Sequence, residues 1–484
     1  MHEDWATEEM RGAKLRDQRR VKSVIRICTR LAAHPDRSFS AACGPAVRQA
    51  AHRILEHPAT SAETLLAGHF AATAARAEGL PLILIAQDTT AFVYGQQQIV
   101  GLAPVNQRRQ SQALRGHSAL AMTPGGTPLG LWHLALWGAE PEPQSPQTGR
   151  ERPREEKESW KWFAALEAVA QRLPAESEGL LIQDREGDIF DFLAAERPTR
   201  LHLLVRAAQD RRLEYEPLPE APAELATGAE TTPVAATRTE QGTLFAVAGG
   251  APLLGHCHVT VARRSAGAGQ PAVPTREAAL AVRVTEVRLQ RPRKHSTSPH
   301  SEVRVWLVCA TETTPPPGVE PLQWVLLSTL PVENLETACR VLGYYARRWV
   351  IERLHYTLKS GLGAEKLQMD DAVSLAHALA LYYVVAWRLL FLTYTARENP
   401  DAPAATVLEA DELAVLEAAT GQPVRTVGAA VTAIARLGGY EPYRNGPPPG
   451  VKTLWQGQIR LDGMRLGWQL ARQPQPTPET YEPR

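Results

Sequence analysis

The 484-residue chain predicts an α/β core carrying a helical unit at each end. Three observations predict it. Two short apolar runs, at residues 80–86 and 179–182, each lead into an aspartate, Asp88 and Asp184. Continuous apolar runs of that length read as buried strands. Residues 344–360 contain neither Gly nor Pro and so predict an uninterrupted helix. Residues 5–75 and 370–436 carry helical periodicity on either side of this core.

Composition bounds the reading. A chain of 484 residues exceeds what one core usually holds, which predicts two to four substructures. The apolar share of 44% and charged share of 22% are those of a soluble globular protein. The net charge is only +1, so binding to a polyanion must rest on local patches. The five cysteines, Cys28, Cys43, Cys257, Cys309 and Cys339, have no CxxC spacing and read as reduced thiols in a cytoplasmic protein. The opening Met-His-Glu-Asp-Trp has no basic start or apolar run of a signal peptide. Residues 378–392 are the most apolar stretch, but Arg388 interrupts them, so they read as a buried helix and no membrane partner is expected.

In chain order, residues 11–53 carry Arg11, Lys14, Arg16, Arg19, Arg20, Lys22, Arg26, Arg30, Arg37, Arg48 and Arg53, opposed only by Asp17 and Asp36. Arg19, Lys22, Arg26 and Arg30 recur at helical spacing between Val24, Ile27 and Leu31. A merely soluble surface mixes both signs; a one-sign stripe is an electrostatic footprint for nucleic acid. Residues 80–90 then predict the first Asp strand, and residues 113–122 and 128–137 predict two more, joined at Pro124-Gly-Gly126. Residues 139–153 read as a loop, 155–173 as a helix, and 178–184 as the second Asp strand. A short helix at 189–195 and a strand at 200–206, ending in Arg206, follow. Residues 213–240 are rich in Pro, Ala, Thr and Glu and read as loose. Strands are predicted at 243–247, 259–263, 280–289, 303–310 and 324–328, with a basic turn at 288–295. A final helix is predicted around 454–470, with a frayed tail beyond.

The late helix carries the sharpest pattern. At about 100° per residue, Tyr345, Arg348, Glu352 and Lys359 fall within an arc of roughly 60°, spread over roughly 21 Å. Val350, Ile351, Leu354 and Leu358 take the opposite side. A charged face of this kind is most often a solvated surface. The context favours a site: Asp88, Asp184 and Glu352 are oxygen donors with no His or Cys beside them, a set that suits Mg²⁺ or Mn²⁺ and not zinc. Two such ions can activate a nucleophile and stabilise a leaving oxygen at a phosphodiester. Strand Asp, meander, helix, strand Asp and late helix Glu is the element order of an RNase H-like core. Trp324 by itself reads as a core residue on a strand. His256-Cys-His258 reads as plain strand alternation, His117 and His133 have no evident nucleophile partner, and Gly125-Gly126 is a turn.

These residues carry a resemblance. Trp5, Leu15-Arg-Asp-Gln-Arg19, Asp88-Thr-Thr90, Lys157-Glu-Ser-Trp-Lys-Trp162, Asp184-Arg-Glu-Gly-Asp188 and Leu322-Gln-Trp324 fit the pattern of the insertion-sequence-four group of bacterial DDE transposases. So do Leu437-Gly-Gly439, Leu454-Trp455 and Tyr345, Arg348, Glu352 and Lys359 at the group's Y-x2-R-x3-E-x6-K spacing. The resemblance implies cut-and-paste transposition, with Asp88, Asp184 and Glu352 as the catalytic triad holding two Mg²⁺ or Mn²⁺ ions. It implies that Tyr345, Arg348 and Lys359 grip DNA phosphates, that Arg206 lies near the cleaved end, and that Trp324 stacks a base turned out of the duplex. Arg19, Arg20, Arg26, Arg30 and Arg53 would contact the end sequence. The expected partners are double-stranded end and target DNA and a second copy of the chain, and the expected place is the bacterial nucleoid. The chain departs from the pattern at Arg16-Asp-Gln-Arg19, where the family usually has Gly-Asp-x-Arg, and at Gly187, which replaces an Ala and is expected to be neutral.

The implied organisation is a helical DNA-binding unit (1–75), a core in two parts (76–212 and 333–369) around a β-rich insertion (213–332), and a C-terminal helical dimerisation unit (370–484). Two rivals remain. A domesticated DNA-binding protein or transposition inhibitor would keep the basic helices and lose a carboxylate. A plain nuclease would have no use for the Tyr, Arg and Lys stripe or for Trp324.

Overall fold

The computed structural model describes residues 5–34, 37–95, 98–102, 104, 111–138, 157–215, 240–261, 273–293, 296–443 and 448–472. The loop expected at 139–153, most of the loose segment, the end of the basic turn and the frayed tail lie outside the described residues.

Four helices open the chain: α1 (Trp5–Met10), α2 (Gln18–Ala33), α3 (Phe39–Leu55) and α4 (Ala62–Ala77). Asp17 starts α2 by accepting the Arg19 backbone N–H at 2.8 Å. Val21, Val24, Ile27, Cys28 and Leu31 bury one face of α2, while Arg19, Lys22, Arg26 and Arg30 stay exposed. Arg16, just before that cap, has a φ of +59°. This left-handed region costs a residue with a Cβ about 1–2 kcal/mol. It is also where the transposase pattern has glycine, so the departure seen in the sequence carries a conformational cost. Arg16→Gly is expected to stabilise the protein by about 1 kcal/mol in thermal melting; an unchanged or lower melting temperature would show that the arginine side chain offsets the strain.

The sheet follows. Its first strands are β1 (Leu82–Tyr94), β2 (Gln112–Met122), β3 (Pro128–Gly138), β4 (Glu178–Gln183) and β5 (Leu201–Arg206), with α5 (Trp160–Arg172) and α6 (Phe190–Leu193) interspersed. Then come β6 (Arg212–Tyr215), β7 (Glu240–Thr243), α7 (Leu244–Gly250), β8 (Leu253–Val261), β9 (Arg276–Gln290), β10 (Glu302–Glu312) and β11 (Gln323–Ser328). The strand order is β3-β2-β1-β4-β5-β11-β10-β9-β6-β7, with β8 on β9. β1, β2 and β3 form an antiparallel meander, and β4 and β5 run parallel to β1. Ile83 and Ile85 face Trp162, Phe163 and Leu166 of α5 in one core. Leu84 and Ala86 face the other core, which includes Val350, Ile351 and Leu354 and extends into the N-terminal helices.

The strands of the β-rich insertion continue this sheet: β11 pairs antiparallel with β5, Leu326 opposite Arg206. Of residues 243–247, read as a strand, Thr243 ends β7 and the rest begin α7: Leu244, Val247 and Ala248 bury one helical face at i, i+3 and i+4. The segment read as loose starts with strand β6.

The late helix is also interrupted, contrary to the reading from its lack of Gly and Pro. It divides into α8 (Leu335–Arg347), α9 (Trp349–Tyr356) and a π-helical turn at Thr357–Gly361. The Arg348 N–H reaches the Tyr345 carbonyl at 3.0 Å and the Ile351 N–H reaches that of Arg348 at 3.1 Å, tightening the chain to i→i−3 bonds. The Leu362 N–H then returns to Thr357 at 2.8 Å, a wide turn of the kind found at functional sites.

The remaining helices are α10 (Ala372–Glu398), α11 (Ala410–Thr420), α12 (Val427–Leu437) and α13 (Val451–Arg472). Among the described residues, α10 alone is long and apolar enough to cross a membrane, but 83% of its most apolar window is buried inside the protein, which makes it a core helix. Cys257 and Cys339 form a disulfide between β8 and α8, with Cα atoms 5.6 Å apart. This corrects the reading of all five cysteines as free thiols: the partners are 82 residues apart, and only the packing of α8 on β8 makes them neighbours. Cys28, Cys43 and Cys309 are buried and in no disulfide.

Candidate active site

The two aspartates stand on adjacent parallel strands. Asp184 follows the last residue of β4 and caps a short turn, accepting the Glu186 N–H at 2.9 Å. Asp88 was expected where its strand ends, yet β1 runs on to Tyr94, with Asp88 opposite Ser118 of β2. What ends there is the parallel pairing with β4, whose last partners are Ala86 and Ile182. Each aspartate follows a glutamine, and these buried amides join across the strands: Gln183 Nε2 donates to Gln87 Oε1 at 3.0 Å. The repeated Gln-Asp was a legible signal that the sequence reading passed over. Gly187 is not neutral to replacement either. A Cβ there would lie 2.8 Å from Cβ of the buried Gln183, so alanine would force the amide pair to move.

α9 brings Glu352 to the aspartates. Arg348 Nη2 donates to Glu352 Oε1 at 2.6 Å, and Arg348 Nη1 lies 3.9 Å from Asp88 Oδ2. Burial pushes the Asp88 carboxyl up to about 6; Arg348 pulls it down, and the charges of Asp184 and Glu352 raise it again. Burial likewise raises Glu352, opposed by Arg348 and aided by Asp184. The three carboxylates therefore feel one another's charge. They do not form a closed cage: among the described residues no three His, Cys, Asp or Glu are grouped closely enough to hold a metal ion. The donors are nonetheless all carboxylate oxygens in surplus negative charge, the chemistry that a hard divalent cation relieves.

The remaining stripe residues sit around this centre. Burial pushes the Tyr345 phenol up, against the pull of Arg348 and Arg206. Trp324, half-buried on β11, meets the Tyr345 ring edge-on at 5.1 Å. Arg206 Nη2 donates to the Gln323 carbonyl at 3.0 Å. Lys359, on the π-helical turn, sits 5.6 Å over the Phe92 ring of β1. A groove of about 720 Å³ opens beside Arg206 and Gln323 and is lined also by Arg185 and Arg283. Arg19, Arg26 and Arg30 on α2 and Arg53 on α3 are exposed, and Arg20 is half-buried.

One further group was missed. His355, on α9, is buried, and burial followed by the charges of Lys359 and Arg348 lowers it to about 3. Its Nδ1 lies 3.7 Å from Asp88 Oδ2 and its Nε2 3.3 Å from Ser118 Oγ. His117 bonds Thr89 Oγ1 at 2.9 Å through Nδ1 on the other side of β1. His355 stands three residues after Glu352, a spacing that puts both on one helical face.

The arrangement defines an α/β protein with a partly buried acidic site rimmed by Arg, Tyr, Trp and Lys. Residues 2–60, covering α1 to α3, match the family described as Transposase DNA-binding. The N-terminal unit is thus similar to a transposase DNA-binding domain, which supports a transposase with DNA as its partner.

Proposed function

We propose that the chain is a cut-and-paste DNA transposase of the DDE type, in the insertion-sequence-four group, built on an RNase H-like core. What supports this is that the charges of Asp184 and Glu352, from a parallel strand and a helix, both act on Asp88, with Arg348 bonded to Glu352 and 3.9 Å from Asp88. The β3-β2-β1-β4-β5 order, antiparallel and then parallel, supports the core assignment.

Asp88, Asp184 and Glu352 would hold Mg²⁺ or Mn²⁺, which when bound supplies Lewis acidity at phosphate and a more acidic attacking water. Arg348 exchanges its bond to Glu352 for a DNA phosphate, leaving the carboxylate open. Tyr345 and Lys359 fix the same strand along the helix, and Arg206 and Arg185 line the path of its end. Trp324 receives a base turned out of the stack, which lets the strand fold back. Hydrolysis frees a 3′-OH at each element end. That hydroxyl attacks the opposite strand to give a hairpin, water reopens it, and the freed 3′-OH attacks target DNA. Each step is an in-line displacement at phosphorus, so one site serves all four. Met464, Leu466 and Leu470, left exposed on α13, support a homodimer paired through the C-terminal helices.

The test supplies Mg²⁺ and DNA bearing the inverted repeats that this reading expects to flank the gene. Nicking and then hairpins at the repeat ends are expected, and no cleavage with bound DNA would refute the reading. Trp324→Ala is expected to slow hairpin formation roughly tenfold more than nicking, since stacking one base is worth about 1–3 kcal/mol. Equal loss of both steps would remove the base-stacking role.

A further inference from the structure

We propose that His355 is a positioning residue that holds the Asp88 carboxylate in its ligating orientation, with Ser118 as its anchor. The inference rests on reading Asp88 as a metal ligand.

Asp88 and Ser118 are direct partners in the antiparallel β1–β2 ladder. Directly opposed residues project from the same face of a sheet, roughly 5 Å apart. The imidazole of His355 sits over that pair, its Nε2 3.3 Å from Ser118 Oγ and its Nδ1 3.7 Å from Asp88 Oδ2. The second distance is longer than a hydrogen bond; in the proposed role the contact shortens to one when the carboxylate takes its ligating orientation. With the proton on Nδ1 the ring donates to Asp88 and accepts from the Ser118 hydroxyl. The other oxygen, Oδ1, already accepts the Thr89 backbone N–H at 2.8 Å. The strand thus holds one oxygen of the carboxylate, and the helix places a ring nitrogen beside the other.

The helix supplies the coupling. Glu352 and His355 lie three residues apart on α9, so whatever seats Glu352 at the site also seats His355 against Asp88. Ser118 and His355 are both buried, and the ring has no room to swing to solvent. Groups one step removed from a metal typically change its affinity or the activity by roughly 10–100-fold when lost.

The experiment measures Mn²⁺ binding to the protein–end-DNA complex by electron paramagnetic resonance, beside nicking rate and thermal melting. His355→Leu keeps the bulk and removes both ring nitrogens. It is expected to weaken Mn²⁺ roughly 10–100-fold with DNA binding unchanged. His355→Asn returns an N–H donor near the Nδ1 position and is expected to restore affinity to within about threefold of wild type. Equal Mn²⁺ affinity in H355L and wild type overturns the proposal, and so does an H355N as weak as H355L. Should H355L melt below the assay temperature, Ser118→Ala decides: a several-fold loss of Mn²⁺ affinity supports the anchor and no loss refutes it. Wild type and Asp88→Asn binding Mn²⁺ equally would instead refute the functional reading of Asp88.

Discussion

Asp88→Asn is expected to abolish nicking of end DNA while making the metal-free protein more stable at neutral pH. The catalytic loss should be at least about a thousandfold, beyond the roughly 10–100-fold typical of groups that only support a metal ligand. The gain in stability follows from the direction of the pKa change. The folded Asp88 carboxyl lies at about 6 and its ordinary value is 3.8, so the folded state holds the proton more tightly. Stability contributed by the protonated form is full below about pH 4 and is lost as pH rises through about 6. Above that window the wild type keeps a partly buried negative charge beside Asp184 and Glu352. Asparagine carries no charge, so D88N should melt above wild type at about pH 7.5 without metal, and the gap should close towards about pH 4. Millimolar Mg²⁺ should raise the wild type and leave D88N unmoved. Retained nicking, or a D88N that melts below wild type at neutral pH, would take Asp88 out of the site.

The second large effect is on stability. Asp188 is buried and accepts the backbone N–H groups of Ala208 at 2.7 Å and Gln209 at 2.9 Å. It also pairs with the buried Arg211 at 2.6 Å. Asp188→Ala leaves a buried guanidinium uncompensated and two N–H groups without their acceptor, a loss of about 3–5 kcal/mol. Melting should fall by on the order of 5 °C or more. Because this pair ties the loop after Asp184 to the chain leaving β5, nicking should weaken as well. A melting temperature within about 1 °C of wild type would show that water replaces the carboxylate.

The sequence was most legible where burial repeats with a simple period. The α2 stripe divided into buried and exposed residues as its spacing required, and Val350, Ile351, Leu354 and Leu358 faced the core. It was least legible where a contact joins distant segments. Nothing in the lack of Gly or Pro between 344 and 360 announced the break at Arg348, the residue paired with Glu352 and near Asp88. Helix α7 and the pairing of β11 with β5 were missed because short apolar stretches fit either period until a neighbour is chosen.

Residue order alone supplied the candidates: three carboxylates, a cationic stripe at helical spacing, and a one-sign basic N-terminal unit. Those follow from charge, donor type and the fixed repeat of a helix. Folding decided the rest: that the Gln-Asp pairs of β1 and β4 lie side by side, that Arg348 stands between Asp88 and Glu352, that His355 reaches Asp88 across Ser118, and that Cys257 meets Cys339. The reason is that strand pairing and helix docking set such distances through interactions spread over hundreds of residues, and no local stretch of sequence records them.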